Sequence, residues 1–157
     1  MAGADTRRMK AVPGMLAVTL VVSAAVHADN KIPVVSARTY IAGSAAVTVT
    51  GAFEIRADIP INTKASMSDG EMTWLQYGDS GSAEPNMLLT VSPHEVGFGV
   101  AKGKSIATAG AADCTGDMVV TGVSIVGKYS CKGVSSYDPS TGRMGKVDIE
   151  IKLTAQS

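Results

Sequence analysis

The sequence has few chemically reactive side chains and no excess of either charge. Its 157 residues include two cysteines, two histidines and one tryptophan, and its 14 basic residues match its 14 acidic residues. Proteins that bind nucleic acid carry a basic excess, so the balance argues against that class. Two cysteines are too few for a disulfide-dense miniprotein, and 45% hydrophobic residues are too many for a disordered chain. The length favours one domain.

The N-terminal segment, 1–28, has the pattern of an export signal. Arg7, Arg8 and Lys10 form a positively charged region, a mostly apolar stretch follows at 13–26, and Val26-His27-Ala28 resembles a signal-peptidase site. The apolar stretch is shorter than the roughly 20 residues that cross a bilayer. We therefore predict a signal helix at 1–28 that is cleaved. A retained anchor helix is the alternative that stays open.

Cleavage would leave 29–157 as a single exported domain, either secreted or periplasmic. Met9 also precedes a complete signal, so the sequence leaves open whether translation starts at Met1 or Met9. The segment 1–28 holds three basic side chains and one acidic side chain, so the remainder carries a net charge of −2. A mildly negative domain gives no reason to expect nucleic acid or an anionic membrane as a partner.

Alternating apolar and polar residues predict an all-β domain after the signal. The alternation is clearest at 46–61 and 147–154, where one face of each strand would be wet and the other dry. Short strands between Gly-rich turns favour a single antiparallel β-sandwich, immunoglobulin-like or related, or a partly open barrel. The other predicted strands are 33–41, 71–77, 86–91, 95–101, 105–109, 118–125 and 129–134.

The two cysteines, Cys114 and Cys131, are predicted to form a disulfide because small exported domains fold in an oxidising compartment. A two-residue turn at Gly122-Val123 would place them directly opposite each other, at a non-hydrogen-bonded position of a hairpin. A turn at Val126-Gly127 is the rival and would put them out of register. A buried pair of free thiols is the other alternative.

Catalytic and metal-binding motifs are weak. Gly78-Asp79-Ser80-Gly81 resembles the segment around the nucleophile of trypsin-like proteases. However, His94, the only histidine beyond the signal, follows that serine instead of preceding it, and the chain is too short for two barrels. His94 has no neighbour at metal-ligand spacing. We therefore expect no enzymatic activity, no cofactor and no metal.

Trp74 and Tyr77 are the candidate ligand contacts. In the predicted strand 71–77, Trp74 and Gln76 share one face, and Leu75 and Tyr77 share the other. A lone tryptophan in a sandwich is more often a core residue. If Trp74 faces solvent, it becomes a candidate platform for a sugar ring or a protein partner.

The last third of the chain combines a Tyr-x-x-x-Gly strand, a turn with Asp and Pro, and an alternating final strand. The residues that carry this pattern are Tyr129, Gly133, Asp138, Lys146, Val147-Asp148-Ile149-Glu150 and Thr154. The pattern resembles the end of the mycobacterial nineteen-kilodalton lipoprotein antigen family. The chain lacks that family's lipid-bearing cysteine and its C-terminal cysteine, so no site residues are carried over. The resemblance implies a small exported β domain without known catalysis.

Three functions remain open at the level of sequence. The first is an exported β-sandwich that acts by surface binding or assembly, with a protein or a glycan as its partner. The second is a carbohydrate-binding or small-ligand-binding module that uses Trp74. The third is an adhesin or pilin-like subunit whose open sheet edge accepts a neighbour's strand.

Overall fold

The computed structural model describes residues 37–157, and within them the chain runs through eleven strands. These are β1 (Arg38–Thr39), β2 (Ala42–Gly51), β3 (Ile55–Pro60), β4 (Met67–Ser68), β5 (Thr73–Tyr77), β6 (Asn86–Val91), β7 (Val96–Lys102), β8 (Ser105–Gly110), β9 (Cys114–Thr121), β10 (Ser124–Asp138) and β11 (Arg143–Gln156). One turn of 3-10 helix, Ala111–Asp113, connects β8 to β9. The predicted signal at 1–28 and the first part of the predicted strand at 33–41 lie outside the described residues.

All eleven strands belong to one antiparallel sheet. Its order is β1-β4-β5-β6-β7-β8-β10-β11-β2-β3, and β9 pairs with β10. The sheet curls into a half-barrel, so the end of β3 approaches the end of β5. There, Ile61 forms a bridge with Tyr77, and the Gly78 amide donates to the Pro60 carbonyl at 2.8 Å. The prediction of an all-β fold, in its form of a partly open barrel, is confirmed.

The concave side of the sheet holds the hydrophobic core. At 46–61 the buried residues Val47, Val49, Ile55 and Ile59 share the predicted parity, because side chains of a strand alternate between its faces. From the other strands the core receives the buried side chains of Leu75, Met87, Leu89, Phe98, Val100, Tyr129, Ile149, Ile151 and Leu153. The outer face is left to solvent.

Two predicted strands are in fact hairpins. The run 46–61 is divided at Ala52–Glu54, between β2 and β3, and the run 118–125 is divided at Gly122–Val123, between β9 and β10. The first turn is hidden in the sequence because its length leaves the inward residues of both strands on odd numbers, so the alternation continues across it. In the second turn, Gly122 adopts a positive φ of 46°, which only glycine adopts readily.

Strand β10 is longer than the predicted 129–134 because a bulge interrupts its alternation. The register against β11 shifts between Cys131 and Val134, where Gly133 has a φ of 63° and donates its amide to Asp148 Oδ1 at 2.9 Å. Before the bulge the buried residues have odd numbers, and after it they have even numbers. The extra residue thus reverses which residues face inward, so the sequence of this single strand shows two alternations that are out of phase.

A serine hydroxyl satisfies backbone groups on the edge of β5 that faces away from β6. Ser66 Oγ accepts the Gln76 amide at 2.9 Å and donates to the Gln76 carbonyl at 3.1 Å, and the Ser66 carbonyl accepts the Tyr40 amide at 3.1 Å. This side chain fills the gap between β4, which pairs with the start of β5, and residues 60–62, which pair with its end. The backbone groups of Gln76, a buried residue, are thereby satisfied.

Candidate functional site

The disulfide lies where the sequence predicts it. Cys114 is directly opposite Cys131 with a Cα–Cα distance of 4.3 Å, and Thr121 pairs with Ser124 across the turn. This short separation is that of a non-hydrogen-bonded antiparallel pair. The predicted disulfide is confirmed, and of the two alternative turns the structure has the one at Gly122-Val123. The bond joins the start of β9 to the middle of β10.

Trp74 and Tyr77 lie on opposite faces of β5. The Tyr77 side chain is fully buried, its hydroxyl donates to the Thr154 carbonyl at 3.0 Å, and burial raises its pKa above the ordinary value. Tyr77 is thus a core residue that joins β5 to β11. Trp74 is half-buried on the outer face, where its cross-strand neighbours are Met67 and Thr90. Of the two predicted contacts, Trp74 is the one that reaches the surface.

Trp74 belongs to a diagonal row of apolar side chains on the outer face, which we name the apolar band. Its members lie on β4, β5, β6, β8, β10 and β11, so the band crosses most of the sheet. They are Met67, Trp74, Leu88, Ile106, Tyr137 and Met144. The sequence identifies only Trp74 as a candidate contact, because the other five residues join the band through the register of the strands.

The register fixes how these side chains meet at one end of the apolar band. Met67 is directly opposite Trp74, while Leu88 is opposite Gln76 and therefore diagonal to Trp74. Direct antiparallel neighbours have Cβ atoms about 5 Å apart, and diagonal neighbours about 7–8 Å apart. Met67, Trp74 and Leu88 are thus close enough to form one surface. Met67 and Leu88 are 45% and 38% exposed.

The other end of the apolar band is a direct cross-strand row. Tyr137 is opposite Ile106 on one side and Met144 on the other. These side chains are 44%, 43% and 71% exposed, respectively. Beside them is a recess of about 320 Å³, lined in part by Phe53 and Arg143. The row therefore presents an aromatic ring, a thioether and an aliphatic group around a shallow depression.

Between the two ends, glycines form the floor of a groove. Gly97 and Gly99 occupy the outward positions of β7, with Thr90 and Leu88 opposite them on β6 and Thr108 opposite Gly99 on β8. Because glycine has no side chain, the backbone of β7 is exposed between these walls. The groove has a volume of about 430 Å³. The groove borders Leu88 of the band and extends from there to Gly110 and Asp113.

Two carboxylates lie at one end of this groove. A Cβ added at Gly110 would be 3.6 Å from Glu95 Oε1 and 3.7 Å from Asp113 Oδ2, so both acidic groups flank the same backbone position. Both residues also line the groove. Together with the hydroxyls of Thr90 and Thr108, they give the groove hydrogen-bond acceptors beside an apolar surface.

The middle of the outer face between β9 and β2 is polar by contrast. A concavity of about 730 Å³ lies there, and Lys128 is directly opposite both Asp117 and Lys152 at its centre. Near it, Lys132 forms an ion pair with Asp148 at 3.2 Å. This region offers charges of both signs, whereas the Ile106–Tyr137–Met144 row offers apolar side chains.

Several carboxylates stabilise turns through hydrogen bonds. The Gly133 amide and the Lys132 ammonium hold the pKa of Asp148 below its usual range. The Ser140 hydroxyl does the same for the pKa of Asp138, and the Met72 amide for that of Asp69. These donors are part of bulges and turns, so the shifts reflect local structure.

The remaining motif residues are spread over loops. His94 lies in the exposed turn between β6 and β7, where its amide donates to Ser92 Oγ at 3.4 Å, and Asp79 of the Gly-Asp-Ser-Gly segment accepts from Asn62 at 3.1 Å. Within residues 37–157, no group of three or more His, Cys, Asp and Glu side chains is arranged to hold a metal ion. In the same part of the chain, no helix has the length and apolar character needed to span a membrane.

Comparisons with known proteins add no identity to this picture. No protein-family model, no curated protein and no solved structure matches the chain. The resemblance of the last third to the mycobacterial nineteen-kilodalton lipoprotein antigen family stays a prediction. The outer face of the sheet is therefore the feature from which a function can be inferred.

Proposed function

We propose that this chain is an exported binding protein that contacts a protein partner through the apolar band and performs no catalysis. The observation that carries the proposal is that strand register places two clusters of exposed or half-exposed apolar side chains on the outer face. Half-buried Ala101 of β7 lies between them, diagonal to Leu88 and opposite Ile106. Large contiguous apolar patches on a protein surface usually mark an interaction site. Isolated apolar side chains would need no such explanation.

The composition of the apolar band favours a protein partner. Tryptophan, tyrosine and methionine are enriched at the centres of protein interfaces, and tryptophan and tyrosine dominate the binding energy there. Trp74 and Tyr137 would be the two anchors, with Met144 supplying an adaptable contact. Six steps between neighbouring strands, from β4 to β11, of about 4.8 Å each give the band a length of roughly 29 Å. That length suits an extended peptide segment lying across the strands.

Export is supported by two features. The predicted signal at 1–28 provides the route, and the Cys114–Cys131 bond is typical of proteins that mature in an oxidising compartment. We place the mature protein outside the cytoplasm, either secreted or periplasmic. There, an apolar band would meet partners on cell surfaces or in the surrounding medium.

A glycan is the second candidate ligand, and the glycine-floored groove favours it. Thr90 and Thr108 supply hydroxyls, and Glu95 and Asp113 supply acceptors for sugar hydroxyls. Half-buried Trp74 stands one strand away from Thr90, in a position to stack on a sugar ring. In this case the groove binds a short oligosaccharide, and the Ile106–Tyr137–Met144 row contributes little.

Photo-crosslinking tests the protein partner. A photoreactive phenylalanine analogue replaces Tyr137, and a matched variant carries it at Arg56, an exposed position on the polar outer face of β3. We expect one saturable adduct of defined mass from position 137 only, and its loss when Met144→Ser is added. Equal adducts from both positions, or none from either, would contradict the proposal.

Glycan binding separates the two candidates. Trp74→Ala and Tyr137→Ser are compared on a glycan array and by titration calorimetry with the best oligosaccharide. If the groove binds a glycan, Trp74→Ala removes binding and Tyr137→Ser leaves it unchanged. If a protein binds the whole apolar band, both variants weaken that complex by about 2 kcal/mol or more.

A further inference from the structure

The second edge of β9 points to an interaction that does not depend on the apolar band. Strand β9 pairs with β10 along Cys114–Thr121, and among residues 37–157 no other strand pairs with it. An unpaired strand edge presents a row of backbone donors and acceptors to any strand of matching geometry. We propose that this edge pairs, antiparallel, with the β9 edge of a second copy of the same chain.

The backbone groups on that edge are defined by the hairpin. Thr121 and Ser124 flank a two-residue turn, so they form a hydrogen-bonded pair, and every second residue back along β9 also bonds to β10. The amide and carbonyl groups of Gly116, Met118 and Val120 therefore point away from β10. Each of these three residues offers one donor and one acceptor to an incoming strand.

The side chains of β9 also favour association. Val119 lies opposite Val126 on the outer face, and these residues are 52% and 51% exposed. On the inner face, Met118 and Val120 pack against the core and are only partly buried. A strand added along the edge would bring apolar side chains beside both pairs.

Strand β3 shows what a protected strand looks like in this protein. It carries Arg56 and Asp58 on its outer face and ends at Pro60. Charges and proline are the usual means of preventing edge-to-edge pairing. Strand β9 has only Asp117 among its charged residues, and its other residues from 118 to 121 are Met-Val-Val-Thr. Its composition therefore does not oppose pairing.

A second copy fits this edge because the edge is self-complementary about Val119. A two-fold axis there places Val119 opposite Val119 of the second copy, Met118 opposite Val120, and Asp117 opposite Thr121. Apolar residues then face apolar residues on both sides of the sheet. An axis at Asp117 would oppose two carboxylates, and an axis at Met118 would place each carboxylate against Val119.

This register makes a continuous sheet from two half-barrels. Met118 and Val120 of one copy exchange hydrogen bonds with Val120 and Met118 of the other, which gives four backbone bonds at the centre of the interface. The Val119 pair falls at a non-hydrogen-bonded position, where side chains approach most closely. Because each copy contributes the same surface, the contact closes as a dimer and does not propagate.

A cysteine scan tests both the partner and the register. Val119→Cys places two thiols at a position of the same kind as that of the native Cys114–Cys131 bond. We expect mild oxidation to link most of this variant as a covalent dimer, with the native bond intact by peptide mapping. Asp117→Cys is the matched control, because its two thiols would be offset by four residues, about 13 Å along the strand. Equal linking of both variants would overturn the register.

Sedimentation equilibrium of the unmodified protein tests dimerisation itself. We expect a concentration-dependent dimer that Val119→Lys converts to a monomer, while circular dichroism and urea unfolding show that this variant stays folded. Met118→Pro is a second test, because proline removes the backbone amide that Met118 offers only on the free edge. We expect this variant to be a monomer as well. A protein that stays monomeric at every concentration overturns the proposal.

Discussion

Removing the disulfide tests whether β9 depends on it for its place in the sheet. The double variant Cys114→Ala, Cys131→Ala breaks a link that spans 17 residues of sequence. On the loop-entropy model, opening a loop of this length costs about 3 kcal/mol of stability. For a domain of this size, that loss lowers the melting temperature by roughly 10 °C. Cys131 is fully buried, so its truncation adds a small packing loss in the same direction.

The loss should be concentrated in β9, because β10 is the only strand paired with β9 among residues 37–157. Strand β10 has β11 along its other edge and pairs with β8 near its end. Without the covalent link, β9 can detach while the rest of the sheet stays paired. Local opening of this kind needs less free energy than global unfolding.

Equilibrium unfolding in urea gives the total loss, and hydrogen exchange gives its location. We expect the amides of Thr115, Asp117, Val119 and Thr121 to lose protection, while the amides of β10 that bond to β11 keep theirs. The wild-type protein in reductant is the control for the alanine side chains. A loss of stability below about 1 kcal/mol, or unchanged protection in β9, would refute this reasoning.

Three other perturbations probe different parts of the fold. Tyr77→Phe removes the hydroxyl that donates to the Thr154 carbonyl on β11, and it should lower the free energy of unfolding in urea by about 1 kcal/mol. An unchanged free energy of unfolding would show that this hydrogen bond is dispensable. Gly116→Ala should lower the melting temperature, because Gly116 has a φ of 143° and a Cβ there would lie 2.0 Å from a carbonyl oxygen of β10. Gly99→Ala is the control and should leave the melting temperature nearly unchanged, because a Cβ at that position has only ordinary contacts. The folded state lowers the pKa of Asp148, so the ionised carboxylate stabilises the protein above the pKa of the unfolded state, and this stabilisation is lost on acidification. The Asp148→Asn variant should therefore lose less stability than wild type when the pH falls from neutral to about 3. Identical stability profiles against pH would contradict this.

Much of the fold follows from local alternation. The alternation of buried and exposed residues on β2, β3 and β11 is evident in the sequence. The disulfide is predicted from the presence of two cysteines in an expected exported domain, and a turn at Gly122–Val123 is one of the two turns that the sequence allows. The boundaries are harder to predict, because alternation continues through the turn at Ala52–Glu54 and is broken by the bulge at Gly133. Turns and bulges shift register without changing residue type, so a single sequence shows them poorly.

The candidate site could be predicted only in part. Trp74 is identifiable as a rare aromatic residue, and its face is the outer one. Tyr77 shares that segment but lies on the inner face, with its hydroxyl bonded to Thr154. The rest of the apolar band extends from Met67 to Met144, and these residues become neighbours only through the register of each strand pair, including the pairing of β8 with β10, which are not consecutive strands. Local patterns carry no information about such pairings.

The pairing of β2 with β11 has a consequence for how the molecule assembles. Ala42 lies opposite Gln156, so an early strand takes its place beside the last one. When the chain is made from its amino end, β2 can pair with β3 early, but its other edge stays unpaired until β11 has followed. Pairing between strands that are distant in sequence slows folding and prolongs the lifetime of aggregation-prone intermediates. A chaperone that shields the first strands until β11 is available would therefore raise the yield of native protein.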